Sequence, residues 1–272
     1  MSIRAILFDL DNTLLLEDDA TRDALRLTSE RAARRAGLDA FVIQVAAERA
    51  AELGFRSAPV FAYADPIGVS WGEALWGDFA GETPGLSALR AFVARFRHDV
   101  WAHALAAAGA HDEALVDELA RIFPSIRRSL RPIDPEADTI LDTLGIDHVL
   151  GLVTNGAPDL QREKLAASGL ESRFASTVIS GELGIGKPDA RIFDRALHEL
   201  GVAAGDAVMV GDSLERDVAG ARAAGLRSVW VDRTGMGRPP GSAVPDARVA
   251  GLGELPRALA ILARAGTIPQ PA

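Results

Sequence analysis

Two aspartates, Asp9 and Asp11, close the first apolar segment of the chain in the stretch FDLDNTL. If the segment is a strand, its side chains alternate between faces, so both carboxylates point the same way and lie roughly 7 Å apart. Like charges at that distance repel each other, and partial burial raises the cost. The pair therefore indicates either a cation or a proton shared between the carboxylates, or an Asx-type turn that ends the strand.

Further polar residues follow later apolar segments. Thr154 and Asn155 follow HVLGLV, Lys187 lies in GELGIGKPD, and Asp212 and Asp217 lie in GDSLERD. In an open parallel sheet, ligands bind beyond the carboxyl ends of the strands, so we expect these residues to converge. Oxygen ligands of this kind favour Mg²⁺, which keeps part of its water shell and shares it with phosphate. Thr154 and Lys187 are donors for an anion, and one aspartate facing that anion could act as a nucleophile.

Lysine is scarce in this chain. Of 29 lysines and arginines only Lys164 and Lys187 are lysines, so the other 27 are arginines. A lysine at position 187, between Gly186 and Pro188, indicates a need for a compact ammonium group rather than a planar guanidinium. Lys164 is predicted to be a solvent-exposed helix residue.

The elements around these residues alternate between strand and helix. Helices predicted between the strands end at Gly169, Gly201 and Gly225. Short unbroken apolar strands separated by amphipathic helices indicate an α/β fold with a doubly wound, Rossmann-like parallel sheet. The predicted strands are 148–154, 176–180, 207–212 and 227–231, with one more in residues 1–14.

Residues 15–130 break this alternation. Leu89, Val93, Phe96 and Val100 recur at three- and four-residue spacing, as on the buried face of a helix. Similar spacing through HDEALVDELARIF ends at Phe123. We therefore predict an all-helical domain over residues 15–130, inserted into an α/β core domain formed by residues 1–14 and 131–272.

Composition limits the partners. The formal net charge is −9 with no basic cluster, which disfavours nucleic acid and anionic membranes, and no apolar run approaches the length of a membrane span. The absence of cysteine and of a signal peptide pattern is typical of a cytoplasmic protein. We expect a monomer or homodimer acting on a small molecule.

The motifs resemble those of the haloacid dehalogenase superfamily of phosphohydrolases. FDLDNTL is similar to its first motif, VTNG to the second, the lysine of GIGKPD to the third and VGDSLERD to the fourth. A helical insert directly after the first motif resembles the family's C1 cap. VTNGAPDLQREKL and VMVGDSLERDVAGARAAG most resemble the branch that contains N-acylneuraminate-9-phosphatase and related sugar-phosphate and nucleotide phosphatases.

The resemblance implies a Mg²⁺-dependent phosphatase that forms an aspartyl phosphate. Asp9 would attack phosphorus, and Asp11 would protonate the leaving oxygen and later activate water. The resemblance implies that Mg²⁺ is held by Asp9, the Asp11 carbonyl and Asp212. It also implies that Asp217 positions the metal-bound waters, that Thr13 orients the loop, and that Thr154, Asn155 and Lys187 bind the phosphoryl oxygens.

Several alternatives stay open. Within the superfamily, a phosphomutase would share the whole set of residues, and a metal-free 2-haloacid dehalogenase would lack an acid at Asp11. GELGIGKP also matches the GxxxxGK pattern of a P-loop NTPase, although Pro188 stands where that loop needs Ser or Thr. A non-enzymatic metabolite-binding protein is the last alternative. Substrate recognition is expected in the cap, where Arg22, Arg26, Arg97 and His98 are available.

Overall fold

The structure is a computed structural model that describes residues 3–265. Residues 1–2 and 266–272, which the sequence assigned to the core domain, lie outside the described residues. The strands are β1 (Ala5–Phe8), β2 (Val149–Thr154), β3 (Ser176–Ile179), β4 (Ala207–Gly211), β5 (Arg227–Val231) and β6 (Ala247–Val249). The helices up to the second strand are α1 (Glu17–Ala36), α2 (Ala40–Arg56), α3 (Phe61–Ile67), α4 (Trp71–Ala74), α5 (Pro84–Ala107), α6 (Glu113–Ser129) and α7 (Ala137–Gly145). The later helices are α8 (Pro158–Ser168), α9 (Ser180–Leu183), α10 (Ala190–Leu200), α11 (Gly220–Ala223) and α12 (Leu255–Ala265), and a π-helical turn, Leu214–Ala219, precedes α11.

Packing divides the chain into two compact units. The sheet unit comprises Met1–Leu16, Ile133–Asn155 and Lys164–Ala272, and the helical unit comprises Glu17–Pro132 and Gly156–Glu163. Residues 156–163, which the sequence-based boundaries left in the core domain, therefore pack with the inserted helices. The role of the helical unit as a cap stays a prediction.

All six strands of the sheet unit are parallel, in the order β3-β2-β1-β4-β5-β6. The predicted doubly wound α/β fold is confirmed. β1 lies at the centre, and Phe8 is in register with Leu152 of β2 and Val210 of β4. This register brings the segments that follow β1, β2 and β4 to the same edge of the sheet.

The two faces of the sheet carry separate apolar cores. Because side chains alternate along a strand, Ile6 and Phe8 belong to one core and Ala5 and Leu7 to the other. The first core is completed by apolar residues of α7 and α12, and the second by those of α10 and α11. The central strands β1 and β4 are thus buried on both sides, which explains their unbroken apolar segments in the sequence.

The helical unit has its own core. Its buried apolar residues come from α1 to α6, from the segments between these helices, which include Trp76 and Phe79, and from Ala157 and Leu160 around the start of α8. Helix α6 continues past Phe123 to Ser129 although Pro124 lacks a backbone donor. Burial explains this extension, because Phe123 is fully buried and Arg127, one turn further on, is 4% exposed and paired with Glu17.

The described helices differ from membrane-spanning helices. None of those within residues 3–265 combines the length and the apolarity that crossing a bilayer requires.

Candidate active site

Asp9 directly follows the central strand. Its backbone N–H donates to the carbonyl of Val210 at 2.9 Å, which extends the pairing of β1 with β4 by one residue. Its carboxylate is almost buried, with the residue 6% exposed, and accepts a hydrogen bond from the Thr13 hydroxyl at 3.0 Å. The strand end therefore fixes the backbone of Asp9, and Thr13 orients its carboxylate.

Lys187 lies between two aspartates. Its Nζ donates to Asp9 Oδ1 and to Asp217 Oδ1, each at 2.6 Å. Lys187 is 4% exposed and Asp217 is 1% exposed. Three ionisable side chains from separate parts of the sequence are thus buried in one ion-paired group, an arrangement that is stable only with close charge compensation.

Opposing effects set the pKa values in this group. Burial lowers the pKa of the Lys187 ammonium, but the carboxylates of Asp217 and Asp9 outweigh it and raise that pKa above its ordinary value. Burial raises the pKa of the Asp217 carboxyl, and the neighbouring charge of Asp9 adds to this effect, whereas Lys187 opposes it. The two carboxylates therefore carry more negative charge than the single ammonium of Lys187 neutralises.

A third carboxylate completes a candidate metal site. Asp9, Asp212 and Asp217 each offer one oxygen, and the three oxygens lie within 4.8 Å of one another. The carbonyl of Asp212 is anchored by Trp230 Nε1 of β5 at 2.7 Å. Carboxylate oxygens around a small space at a sheet edge suit Mg²⁺, so the residues present fit that ion. The sequence predicts that Asp217 positions metal-bound waters; its carboxylate lies in the same group as those of Asp9 and Asp212, and its role stays a prediction.

Gly211, the last residue of β4, leaves the room that Asp217 needs. A Cβ at this position would overlap the Asp217 carboxylate. We expect Gly211→Ala to displace the Asp217 carboxylate and to weaken Mg²⁺ binding about 10- to 100-fold, as changes around metal ligands do. Isothermal titration with Mg²⁺ measures this. Gly205→Ala is the matched control, because a Cβ there meets no atom within 4 Å, and equal affinity in both variants would contradict the prediction.

The segment after β2 holds the loop that carries Lys187. The Asn155 side chain accepts from the Lys187 backbone N–H at 2.8 Å and donates to the Lys187 carbonyl at 2.9 Å. Thr154 is fully buried beside it. The Asn155 side chain is thus committed to positioning Lys187, a role that the sequence did not indicate, and the predicted phosphate contacts of Thr154 and Asn155 stay predictions.

The Asp11 carboxylate contacts Lys164 and not Lys187, which binds Asp9 and Asp217. Its two carboxylate oxygens each accept a hydrogen bond from Lys164 Nζ at 3.0 Å. The prediction that Lys164 is a solvent-exposed helix residue was wrong, since the residue is only 6% exposed. The scarcity of lysine was a signal that could have identified Lys164 as well as Lys187.

Arg233, which follows β5, is a further residue that the sequence did not indicate. It donates to the carbonyls of Asn12 at 3.2 Å and Thr13 at 2.6 Å, and it pairs with Asp134 at 2.7 Å. Asn12 has a positive φ of 61°, so the loop after Asp11 adopts a conformation that needs external support. Arg233 supplies that support to the backbone.

The helical-unit residues proposed for recognition have partners within that unit. Arg22 and Arg26 pair with acidic residues of their own helix. Arg97 donates to the Ala74 carbonyl at 3.0 Å, and burial lowers its pKa to about 10. Nε2 of His98 lies 3.1 Å from Oε2 of Glu113. Arg97 thus stabilises the end of α4, and recognition by these four residues stays a prediction.

Comparison with known proteins gives consistent matches. The family model for haloacid dehalogenase-like hydrolases matches residues 3–225. A phosphoserine phosphatase of Thermus thermophilus is 45% identical over 254 residues, which cover 93% of this chain and 98% of the relative. Human N-acylneuraminate-9-phosphatase is 36% identical over 152 residues, covering 56% of this chain and 61% of that protein.

Solved structures share the fold. A haloacid dehalogenase-type hydrolase of Bacillus subtilis, solved with bound magnesium, aligns with a TM-score of 0.65 at 22% identity. The alignment covers 95% of this chain and 99% of the B. subtilis chain. At this identity the likeness establishes a common fold.

Proposed function

The chain belongs to the haloacid dehalogenase-like hydrolase family, and from this premise we propose that it is a Mg²⁺-dependent phosphatase that acts through an aspartyl phosphate on Asp9. The observation that carries the proposal is the buried group at the carboxyl ends of β1 and β4. There Lys187 bridges Asp9 and Asp217, and Asp212 offers a third carboxylate oxygen. Such a group combines a nucleophile, a cation site and a donor for phosphoryl oxygens.

The proposed reaction has two displacement steps. An Asp9 carboxylate oxygen bonds to phosphorus while the ester oxygen leaves and takes a proton from Asp11. A water oxygen then bonds to phosphorus, the Asp9–phosphorus bond breaks, and the water gives its proton to Asp11. Inorganic phosphate leaves, and both aspartates return to their starting states.

The remaining residues of the site would bind the phosphoryl group and Mg²⁺ and orient the Asp9 carboxylate. Lys187, Thr154 and the Asn155 backbone would hold the phosphoryl oxygens, and Thr13 keeps the Asp9 carboxylate aimed by its hydrogen bond. Asp9, Asp212 and the Asp11 carbonyl would hold Mg²⁺, with Asp217 beside it. When bound, the ion offsets the negative charge of the carboxylates and of the phosphoryl group.

For the substrate we propose O-phosphoserine as the first compound to test. The support is the extent of the likeness, because the phosphoserine phosphatase aligns over 93% of this chain, inserted helices included, and N-acylneuraminate-9-phosphatase aligns over 56%. Sugar phosphates and nucleotides, the classes proposed from the sequence, are the comparison substrates.

Phosphate release from this panel tests the proposal. We expect O-phosphoserine to give the highest kcat/KM, and EDTA to lower turnover at least about 10²-fold until Mg²⁺ is restored, because the carboxylates then lack their counter-ion. Samples freed of Zn²⁺ control for trace metals, and samples given Ca²⁺ in place of Mg²⁺ test whether turnover requires Mg²⁺ itself. A sugar phosphate or nucleotide that outperforms O-phosphoserine would replace it as the substrate, and turnover indifferent to EDTA would contradict the metal assignment.

The alternatives predict different outcomes. A 2-haloacid dehalogenase would release halide without Mg²⁺, and a phosphomutase would return the phosphoryl group to a sugar phosphate rather than to water. For the P-loop alternative, Lys187 would have to face a nucleotide phosphate, whereas its ammonium contacts Asp9 and Asp217. Family membership also counts against that alternative and against the non-enzymatic one.

A further inference from the structure

Lys164 binds the second aspartate of the FDLDNTL motif. Its side chain is 5% exposed, and its Nζ lies 3.0 Å from both carboxylate oxygens of Asp11. Both residues belong to the sheet unit, although they are 153 positions apart in the sequence. Rotation of the Asp11 carboxylate away from this geometry would break at least one of two charge-assisted hydrogen bonds, so the contact fixes its orientation.

The two lysines of the chain bind the two aspartates of the FDLDNTL motif. The chain uses arginine for the other 27 cationic side chains, yet both lysines are buried, and each binds one aspartate of the pair. Lys187 contacts Asp9, and Lys164 contacts Asp11. A compact ammonium on an unbranched stem reaches a confined carboxylate where a planar guanidinium does not fit as readily.

The backbone beside Asp11 has a separate support. Arg233 holds the carbonyls of Asn12 and Thr13, and Asp11 itself follows directly on the strand extension at Asp9. The Asp11 side chain is 24% exposed, and both of its carboxylate oxygens accept hydrogen bonds from Lys164. Lys164 thus acts on the side chain of Asp11, whereas Arg233 acts on the neighbouring backbone.

We infer that Lys164 is a positioning residue, which holds the Asp11 carboxylate in the orientation needed for both proton transfers. The inference rests on the proposed function, since it assigns a role within the same reaction. Asp11 gives a proton to the departing ester oxygen in the first step and takes one from water in the second, and a misaligned carboxylate would slow both transfers.

Steady-state kinetics of Lys164→Met give the first test. We expect kcat for O-phosphoserine, or for the best ester of the panel, to fall about 10²-fold, the scale associated with misplacing a catalytic group by about 1 Å. KM should stay within about threefold, because Lys164 is not assigned a contact with substrate. Arg195→Met is the control, since it removes an ion pair with Glu199 on the exposed face of α10 and should leave both constants unchanged.

A good leaving group separates the two steps. p-Nitrophenolate departs without much help from a proton donor, so the first step should persist in Lys164→Met while attack by water becomes limiting. Stopped-flow measurement should then show a burst of p-nitrophenolate close to one equivalent per enzyme. If Lys164→Met slowed the burst and the steady-state release of p-nitrophenolate by the same factor, the inference would be overturned.

A double-mutant cycle tests whether Lys164 acts through Asp11. In the Asp11→Ala background, Lys164→Met should change the residual rate by less than about twofold, because the two residues act as one unit. An equal fold-loss in both backgrounds, or a raised KM with unchanged kcat, would overturn the inference and assign Lys164 to substrate binding.

Separate measurements distinguish a misfolded variant from a folded variant that has lost activity. Thermal unfolding monitored by circular dichroism identifies a misfolded variant, and Lys164→Gln, a smaller and still polar change, then takes its place in the same assays. An active wild-type enzyme with unimpaired Lys164 variants would overturn this inference alone. A wild-type enzyme inactive on every ester would overturn the proposed function and this inference together.

Discussion

Asp9→Asn is expected to abolish turnover and to leave the fold intact. The amide has almost the shape of the carboxylate, and its oxygen can accept from Lys187 while its NH₂ donates to the Thr13 hydroxyl oxygen, but it is a far poorer nucleophile. The substitution also removes one negative charge from a group of three neighbouring carboxylates, so we expect the folded state to keep its stability. We expect kcat to fall on the order of 10⁴-fold or more, as when other hydrolases lose their nucleophile.

The same variant tests the covalent step. Acid-quenched wild-type enzyme incubated with ³²P-labelled substrate should carry label that hydroxylamine releases, and Asp9→Asn should carry none. Asp39→Asn is the matched control, because Asp39 caps helix α2 through backbone N–H groups and asparagine caps a helix equally well. Turnover of Asp9→Asn close to that of the wild type would exclude Asp9 as the nucleophile.

Lys187→Met should lose both activity and stability. The substitution leaves the carboxylates of Asp9 and Asp217, which are 6% and 1% exposed, buried without the ammonium that bridges them. Removing one partner of a buried ion pair costs about 3–5 kcal/mol, because an uncompensated charge remains. Urea unfolding in EDTA should therefore show a lower midpoint with an unchanged m-value.

Mg²⁺ should reverse part of this loss. A divalent cation bound by the same carboxylates offsets their repulsion, so the unfolding midpoint should rise more with Mg²⁺ in Lys187→Met than in the wild type. Adding Asp217→Asn to Lys187→Met should also recover stability in EDTA, since one of the two buried, uncompensated charges is then neutral. Arg191→Met, which removes an exposed pair with Asp189, controls for loss of a surface charge. A Lys187→Met protein as stable as the wild type in EDTA would mean that Lys187 does not balance the two carboxylates.

Predicting secondary structure from the sequence succeeded where a pattern is local. The segments predicted as 207–212 and 227–231 are observed as β4, Ala207–Gly211, and β5, Arg227–Val231. The short strand β6 was not predicted, because three residues of strand give too little periodicity to detect, and helix α12 was not predicted either. The helix predicted to end at Gly225 begins as a π-helical turn at Leu214, which places Asp217 beside Lys187.

The sequence by itself determined the doubly wound sheet, the inserted helices and the grouping of Asp9, Lys187 and Asp212 at one edge of the sheet. These follow from apolar spacing and from the rule that parallel strands present their carboxyl ends together. Only the tertiary structure decided which side chains meet there. The Asn155 side chain binds the Lys187 backbone across 32 residues, and Lys164 reaches Asp11 across 153. The physical reason is that hydrophobic periodicity is a property of neighbouring residues, whereas an ion pair depends on where two distant backbones are held, and Lys164 on an amphipathic helix has the same local pattern whether it faces solvent or a carboxylate.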